Sequence, residues 1–539
     1  MSDVVAGLRH AIRRWIKRPA FACTAVLTLA TGIGATTAIF SVVDAVLLKP
    51  LPWRDPDRLV SVLVARPHWR ENPVLAGSWD RGNISWPIFQ DLQSKSLVFS
   101  DVAAWSRARP TLNGERNELV TGMQISASFL PMLGVYPHLG RFFTTAEDVS
   151  PSDSVLVTYE TWQRRFGGSP DVLGHRASLD ETMYAVVGVL PSGFNFDGSD
   201  PPEFLFPWGN TPVRSRTAGN HFMNGLARLK PGIPLEDAVR DSDPHVRGIE
   251  SPGKKRTRLV RLIDQQQGAS RQPLWILLGA SSLLLLITCA NVAGLLLGDA
   301  ESRRHEVAVR AALGGSRRQI VQQLSAESAV LTAAAAIAGI VLASWFTPAL
   351  VAMAPTELPR VADVGIDLRV FGFAVLVSIA TALLFGTAPV LALARADPAR
   401  ALREGGRDAG LRRRYAQRFI VAGEVALAVV LLAAASLLGE SFFRLTSQPV
   451  GFDPANLIVA SPRLPRDPGS TAETRLARTD TLVAGLAALP GVVDATATST
   501  APFSGSYGSN SIQIEGKTFE RDPPATDTSS RRPTSARWA

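Results

Sequence analysis

The sequence has only two cysteines, Cys23 and Cys289, and both lie inside apolar runs. A disulfide framework is thereby excluded, so any part outside a membrane must fold on its own core. No G-x-x-x-x-G-K-[ST] occurs, so the chain carries no P-loop with which to hydrolyse ATP. Its seven histidines, His10, His68, His138, His175, His221, His245 and His305, show no H-E-x-x-H or comparable pairing, and so no metal-ligand spacing. G-x-S-x-G is absent as well, and the serines of "GVLPSGF" and "PFSGSYGS" sit in glycine-rich turns that read as loops. No catalytic, cofactor-binding or metal-binding residue is assigned.

What the chain has in quantity is apolar sequence: 46% of 539 residues, with a formal charge of +9. Such a balance points to nucleic acid only where the basic residues form one patch on a soluble fold. Here they flank the apolar runs instead, at Arg13 to Arg18, Arg303 to Arg318 and Arg395 to Arg418, where a membrane protein keeps its cytoplasmic charge. Five runs approach the roughly 20 residues that a helix needs to span the hydrocarbon: Ala20 to Leu48, Pro273 to Leu297, Ala329 to Leu350, Val370 to Ala394 and Phe419 to Leu438. The first is too long for the apolar region of a signal peptide and offers no cleavage site. At about 1.5 Å per residue it is roughly 43 Å long, more than a hydrocarbon core of about 30 Å, so it tilts or projects as a stalk.

The resulting plan is a cytoplasmic N-terminus (1–19), a first helix with stalk (20–48), a folded domain (49–272), a second span (273–297), a basic cytoplasmic loop (298–328) and a third span (329–350). A fourth span (370–394), a basic linker (395–418), a fifth span (419–438) and the start of a second, incomplete outer domain (439–539) follow. Loop charges orient it consistently: the connection from Thr347 to Arg369 sets Arg360 and Arg369 against Glu357, Asp363 and Asp367 and lies outside, with the 49–272 domain. That domain alternates strands ("SVLVT" from Ser154, "TMYAVVGVLP" from Thr182, "FMNGLARLKPG" from Phe222) with helices ("YETWQRRFG", "PLEDAVRD" and a capped "SASFLPMLG" from Ser126), an α+β pattern.

"RDPDRLVSV" (Arg54 to Val62) and "FDPANLIVA" (Phe452 to Ala460) share Asp-Pro-x-x-Leu-[Val/Ile], each after a span preceded by a basic segment. We read a duplication whose second copy stops early, the tail "PPATDTSSRRPTSARWA" being a truncation or frameshift product.

Between the second and third spans lies "ESRRHEVAVRAALGGSRRQIVQQL". On a helical wheel Arg303, Glu306 and Arg310 share one arc with Val307 and Val309 as shoulders, and Glu306 and Arg310 stand at i,i+4. Leu313 is followed by the pair Gly314 and Gly315, which stops the helix, and Ser316 with Gln319 forms a capping box for the next. By itself this is either a surface hairpin anchored by arginines or a helix docked in a partner's groove.

The stretch "ESRRHEVAVRAALGGSRRQIVQQLSAES" resembles the coupling-helix region of the MacB and FtsX permeases. "FACTAVLTLATGIGATTAIFSVVDAVLLKPLPWRDPDRLV", "ITCANVAGLLL", "DPARALREGGR" and "GEVALAVVLLAAASLL" are similar to the duplicated acidobacterial permeases of that family. The resemblance implies a polytopic α-helical inner-membrane protein with an extracytoplasmic α+β domain, moved by a separate cytoplasmic ABC ATPase that holds the ATP, no cofactor being bound by this chain. It implies docking through Arg303, Glu306, Val307, Val309, Arg310, Leu313, Gly314 and Gly315. Expected partners are the ATPase, a second permease copy, an extracytoplasmic adaptor or hydrolase and membrane lipid, with no nucleic acid. Export or extraction of a substrate at the outer face is the expected role, a regulatory scaffold for a cell-wall hydrolase the alternative, and a membrane-embedded enzyme the third. Unlike MacB, the chain has no ATPase ahead of its first helix. Three polar residues fall within spans, Asp44, Asn291 and Glu424; Asp44 and Glu424 lie near enough to helix ends to reach interfacial water.

Overall fold

The computed structural model describes residues 2–71, 75–114, 117–198, 200–249, 255–302, 317–353, 360–394, 408–448, 456–460, 462, 471–498, 509–511 and 524–526. Two units make up the chain: 1–109, 120–175 and 185–436 in one, and 110–119, 176–184 and 437–539 in the other.

In the first unit the strands are β1 (Leu59–Ala65), β2 (Ile84–Ser85) and β3 (Phe99–Ala108), and, after β4 (Thr111–Leu112) and β5 (Glu118–Leu119) of the second unit, β6 (Gly122–Ile125), β7 (Leu139–Gly140) and β8 (Ser154–Val157). They continue, beyond β9 (Arg176–Leu179) of the second unit, with β10 (Thr182–Val189), β11 (Phe204–Phe206), β12 (His221–Leu229) and β13 (Arg256–Arg261). The main sheet runs β13-β1-β12-β3-β6-β11-β8-β10, with β2 on β12 and β7 on β10. Pairing is antiparallel from β13 to β6 and parallel for β6 with β11 and β8 with β10. In the second unit β4 pairs with β5 and β9.

Every residue of β1 is buried, because the sheet is covered on both faces. Successive side chains alternate: Leu59, Ala103 and Leu226 enter one core with Phe129, Phe194 and Phe196, while Val60, Val62, Val102, Ala104 and Ala227 enter the other with Ile88, Phe89 and Trp208. Helices α3 (Trp86–Lys95) and α7 (Leu235–Ile249) cover the second face, and α4 (Phe129–Leu133) the first. The strands read from Ser154, Thr182 and Phe222 are β8, β10 and β12, and the helices read after them are α6 (Tyr159–Phe166) and α7, α5 (Thr145–Val149) lying before β8. The cap expected on "SASFLPMLG" is absent: α4 starts at Phe129 without a side-chain cap, and the Ser128 hydroxyl donates to the carbonyl of Val102 at 2.7 Å.

The membrane part begins with α1 (Ser2–Lys17) and α2 (Pro19–Val43), which continues as a π-helical turn, Asp44–Leu48. Then come α8 (Leu262–Ser302), α9 (Arg317–Ala352), α10 (Leu368–Ala394) and α11 (Asp408–Thr446); α12 (Ala472–Ala487) belongs to the second unit. Among the described residues four helices are long and apolar enough to cross a membrane, Pro19–Leu48, Ser270–Leu296, Ser325–Ala352 and Val421–Thr446. The fourth expected span is the 27-residue helix α10, whose described apolar part is Leu368–Leu383. The domain ends earlier than 272: α8 starts at Leu262, and Pro273 lies inside it. Hydropathy registers only the lipid-facing part of this helix, because "DQQQGASRQ" ahead of Pro273 is polar.

Helix α2 is the hub. Leu29 and Ile33 pack with Cys289 and Val292 of α8 and Leu331 and Ala335 of α9. Gly34 lets the backbones of α2 and α9 approach, since a Cβ there would stand 2.9 Å from the carbonyl oxygen of Gly339. The Thr36 hydroxyl donates to the carbonyl of Ser281 at 3.1 Å, satisfying a buried polar group between helices.

Candidate functional site

The residues read as the coupling helix, Arg303, Glu306, Val307, Val309, Arg310, Leu313, Gly314 and Gly315, lie outside the described residues, as does the Ser316 start of the capping box. What is described is the pair of stems from which that segment departs, α8 ending at Ser302 and α9 beginning at Arg317.

Those stems meet at a buried ion cluster. The guanidinium of Arg14, on α1, donates from one terminal nitrogen to Asp299 of α8 and from the other to Glu327 of α9. Arg18, at the break between α1 and α2, bonds the second oxygen of Asp299 at 2.5 Å. Side-chain exposure is 11% for Arg14, 8% for Asp299 and 5% for Glu327, so these charges are largely removed from water. Trp15 donates its indole N–H to the carbonyl of Glu327 at 3.3 Å and stacks on Phe21, and the Arg14 guanidinium lies 4.8 Å from its ring centroid. Sequence reading passed over this cluster because its members are some 300 positions apart. Its signal was the pair of acids, Asp299 and Glu327, at the two ends of a loop in which arginines outnumber acids.

At the other end of the bundle a second set of contacts joins helices to domain. Arg360 donates to the carbonyls of Lys49 and Pro50, at 2.8 and 3.4 Å, and the Lys49 ammonium pairs with Asp367 at 2.9 Å. Gln267 of α8 donates to the carbonyl of Leu47, and Gln266 to that of Phe196 in the domain, each at 3.1 Å. Asp44 sits in this region, 2% exposed and with no hydrogen-bond partner for its Oδ2 among the described residues, so the structure buries it where interfacial water was expected. The π-turn that holds it closes with the Lys49 N–H on the Asp44 carbonyl at 2.8 Å. Asn291 is exposed on α8 and Glu424 half-buried on α11.

Within the domain, neighbouring carboxylates are tuned in opposite directions. Burial pushes Asp148 up to about 6, against the 2.8 Å bond from the Ala127 N–H. Glu147 also suffers burial, but bonds from Arg141, Ser154 and Thr144 outweigh it and hold the carboxyl at about 2. Burial, with Arg66 and Lys255 nearby, lowers His221 to about 4, and its Nε2 lies 3.0 Å from the Lys255 ammonium. Among the described residues no group of three or more His, Cys, Asp or Glu side chains is arranged to hold a metal ion.

Comparison with known proteins agrees with this layout. A family model described as the MacB-like periplasmic core domain matches residues 22–243, and one described as the FtsX-like permease C-terminal matches residues 278–398. The macrolide export ATP-binding/permease protein MacB of Wolinella succinogenes is 23% identical over 392 residues, 70% of this chain and 56% of its own length. The pyoverdine export ATP-binding/permease protein PvdT of Pseudomonas syringae pv. syringae is 24% identical over 274 residues, 49% of this chain and 39% of its own. The chain thus spans about half the length of the curated relatives that it matches. Among solved structures, the periplasmic region of MacB from Actinobacillus actinomycetemcomitans aligns with 13% identity and a TM-score of 0.32, covering 40% of this chain and 92% of that one.

Proposed function

Because the chain belongs to the MacB/FtsX-like family of ABC transporter permeases, we propose that it transmits motion from a separate cytoplasmic ATPase to its α+β domain outside the membrane. The movement serves export or extraction of a substrate, as the names of the relatives state of those proteins for macrolides and pyoverdine. The basic end of the bundle faces the cytoplasm by the distribution of arginines, and residues 303–316 dock in the ATPase. This chain's own contribution is mechanical.

One helix carries the reading. Helix α8 runs without interruption for 41 residues, from Leu262 to Ser302, about 62 Å at 1.5 Å per residue. Its first residue, Leu262, is buried in the domain core beside Phe194 and Phe196; Cys289, Val292 and Leu296 lie in the bundle core; Asp299 ends in the ion cluster. A displacement at the basic end therefore arrives at the domain through one continuous helix, with one backbone hydrogen bond missing at Pro273, rather than through a loop.

Co-purification of the full chain with a cytoplasmic ATPase tests the reading, repeated with Glu306→Arg and Arg310→Glu. Each reversal is expected to release the ATPase. Retention of the ATPase by both variants would remove the docking assignment.

A further inference from the structure

The ion cluster lies where the coupling segment begins and ends. Asp299 lies four positions before Arg303 in the sequence, and Glu327 ten residues into α9, so a single guanidinium bridges the two stems. Two carboxylates bonded to one Arg14 side chain are within a few ångströms of each other, and their repulsion is strong where water is scarce. The planar fork of an arginine matches both at once, which a lysine ammonium does not. Arg18 and Trp15 add a further bond to each stem, 2.5 Å to Asp299 and 3.3 Å to the Glu327 carbonyl.

We propose that α1 is a positioning element for the coupling segment: through Arg14, with Arg18 and Trp15 in support, it sets the separation of α8 and α9 where that segment leaves them. This rests on reading residues 303–316 as the docking segment. The sequence repeats the device, since Arg13-Arg14-Trp15 and Arg18 before α2 recur as Arg413-Arg414-Tyr415 and Arg418 before the apolar stretch of α11. Both copies place the same cations and an aromatic ring at the same spacing ahead of a membrane span. An interfacial helix that only anchored the chain would need basic residues but no such spacing.

The test is the stem-to-stem distance in the full chain, in nanodiscs, by pulsed electron paramagnetic resonance. Cys23 and Cys289 are replaced by serine, and spin labels are placed at Gly298→Cys and Ser325→Cys, both exposed positions. The parent chain is expected to give one narrow distance. Arg14→Ala is expected to broaden it and shift it longer, and the added pair Asp299→Asn and Glu327→Gln to bring it back, because the repulsion is then gone. Arg18→Ala, which removes a half-exposed side chain and leaves Arg14 in place, supplies a variant in which folding is not at stake and is expected to shift the distance less, in the same direction. An unchanged distance in Arg14→Ala, or in Arg18→Ala where the Arg14 variant does not fold, overturns the proposal. Failure of the neutralised variant to recover the distance overturns its electrostatic basis. The permease is measured alone, so the result is separate from docking: if the parent chain binds no ATPase yet its distance responds, the clamp stands and the docking reading falls.

Discussion

Two helices of this chain follow the same sequence grammar and end in different surroundings. Pro19–Leu48 and Val421–Thr446 each follow a basic segment, are strongly apolar, and precede Asp-Pro-x-x-Leu. In the first, 56% of the apolar window is buried; in the second, none of it is. The residues beyond them differ in the same way: Leu59 and Val60 are 0% exposed in β1, whereas their counterparts Leu457 and Ile458 are 51% and 90% exposed. Apolarity decides that a helix crosses lipid, but only neighbours decide that it packs. Gly32 and Gly34 are small because Thr288 and Gly339 press on them; Gly423 and Gly439 have open space among the described residues.

The comparison can be broken by substitutions made in pairs. The largest effect is expected at the ion cluster, where Arg14→Ala removes the guanidinium shared by two buried carboxylates at a cost of about 3–5 kcal/mol, while Arg418→Ala, at the exposed position that corresponds to Arg18, changes little. Thermal unfolding of the detergent-solubilised chain reads both, and equal effects would mean that the two basic segments are equivalent after all. In the strands, Leu59→Ala should cost about 2–5 kcal/mol and Leu457→Ala a fraction of that by the same assay. Next, Gly34→Val crowds the backbone of α9 and should cost about 1–3 kcal/mol, seen as a lower yield of monodisperse protein; Gly439→Val should leave the yield alone.

The smallest effect is a pH dependence confined to the folded domain. His221, lowered from 6.5 to about 4, stays neutral where the unfolded chain would take a proton. Its contribution is therefore complete above pH 6.5 and lost as the pH falls through 4. Asp148, raised from 3.8 to about 6, acts in the opposite sense: its contribution is complete below 3.8 and lost as the pH rises through 6. His221→Gln should gain stability relative to the parent as the pH is lowered from 6.5 to 4, and Asp148→Asn should gain relative to it from 4 to 6. Calorimetry across that range checks both; parallel curves for parent and variants would place the acid response elsewhere.

Much of the architecture was legible from the order of residues alone. The spans stood out by hydropathy, and β8, β10 and β12 by their β-branched and alternating sequences, since those patterns are set by a single local surface. The first turns of α8 were not, because "DQQQ" is polar and carries no apolar stripe. "SASFLPMLG" read as a capped helix, yet Ser128 ahead of it bonds Val102 across the sheet, a partner 26 positions away. The ion cluster escaped for the same reason: Arg14, Asp299 and Glu327 become one site only when three helices converge, and no local window contains them. The burial of Asp44 likewise depends on helices far along the chain.

The central claim is that α8 carries force as one continuous helix, across Pro273, from the domain core to the ion cluster, and its length can be measured under load. Spin labels at Gly268→Cys and Gly298→Cys, where added side chains meet open space, span 30 residues of helix, about 45 Å. The account predicts a single narrow distance of that size, unchanged when a bound ATPase is cycled with ATP. A second, shorter distance appearing with ATP would mean that the helix bends, and that force does not reach the domain this way.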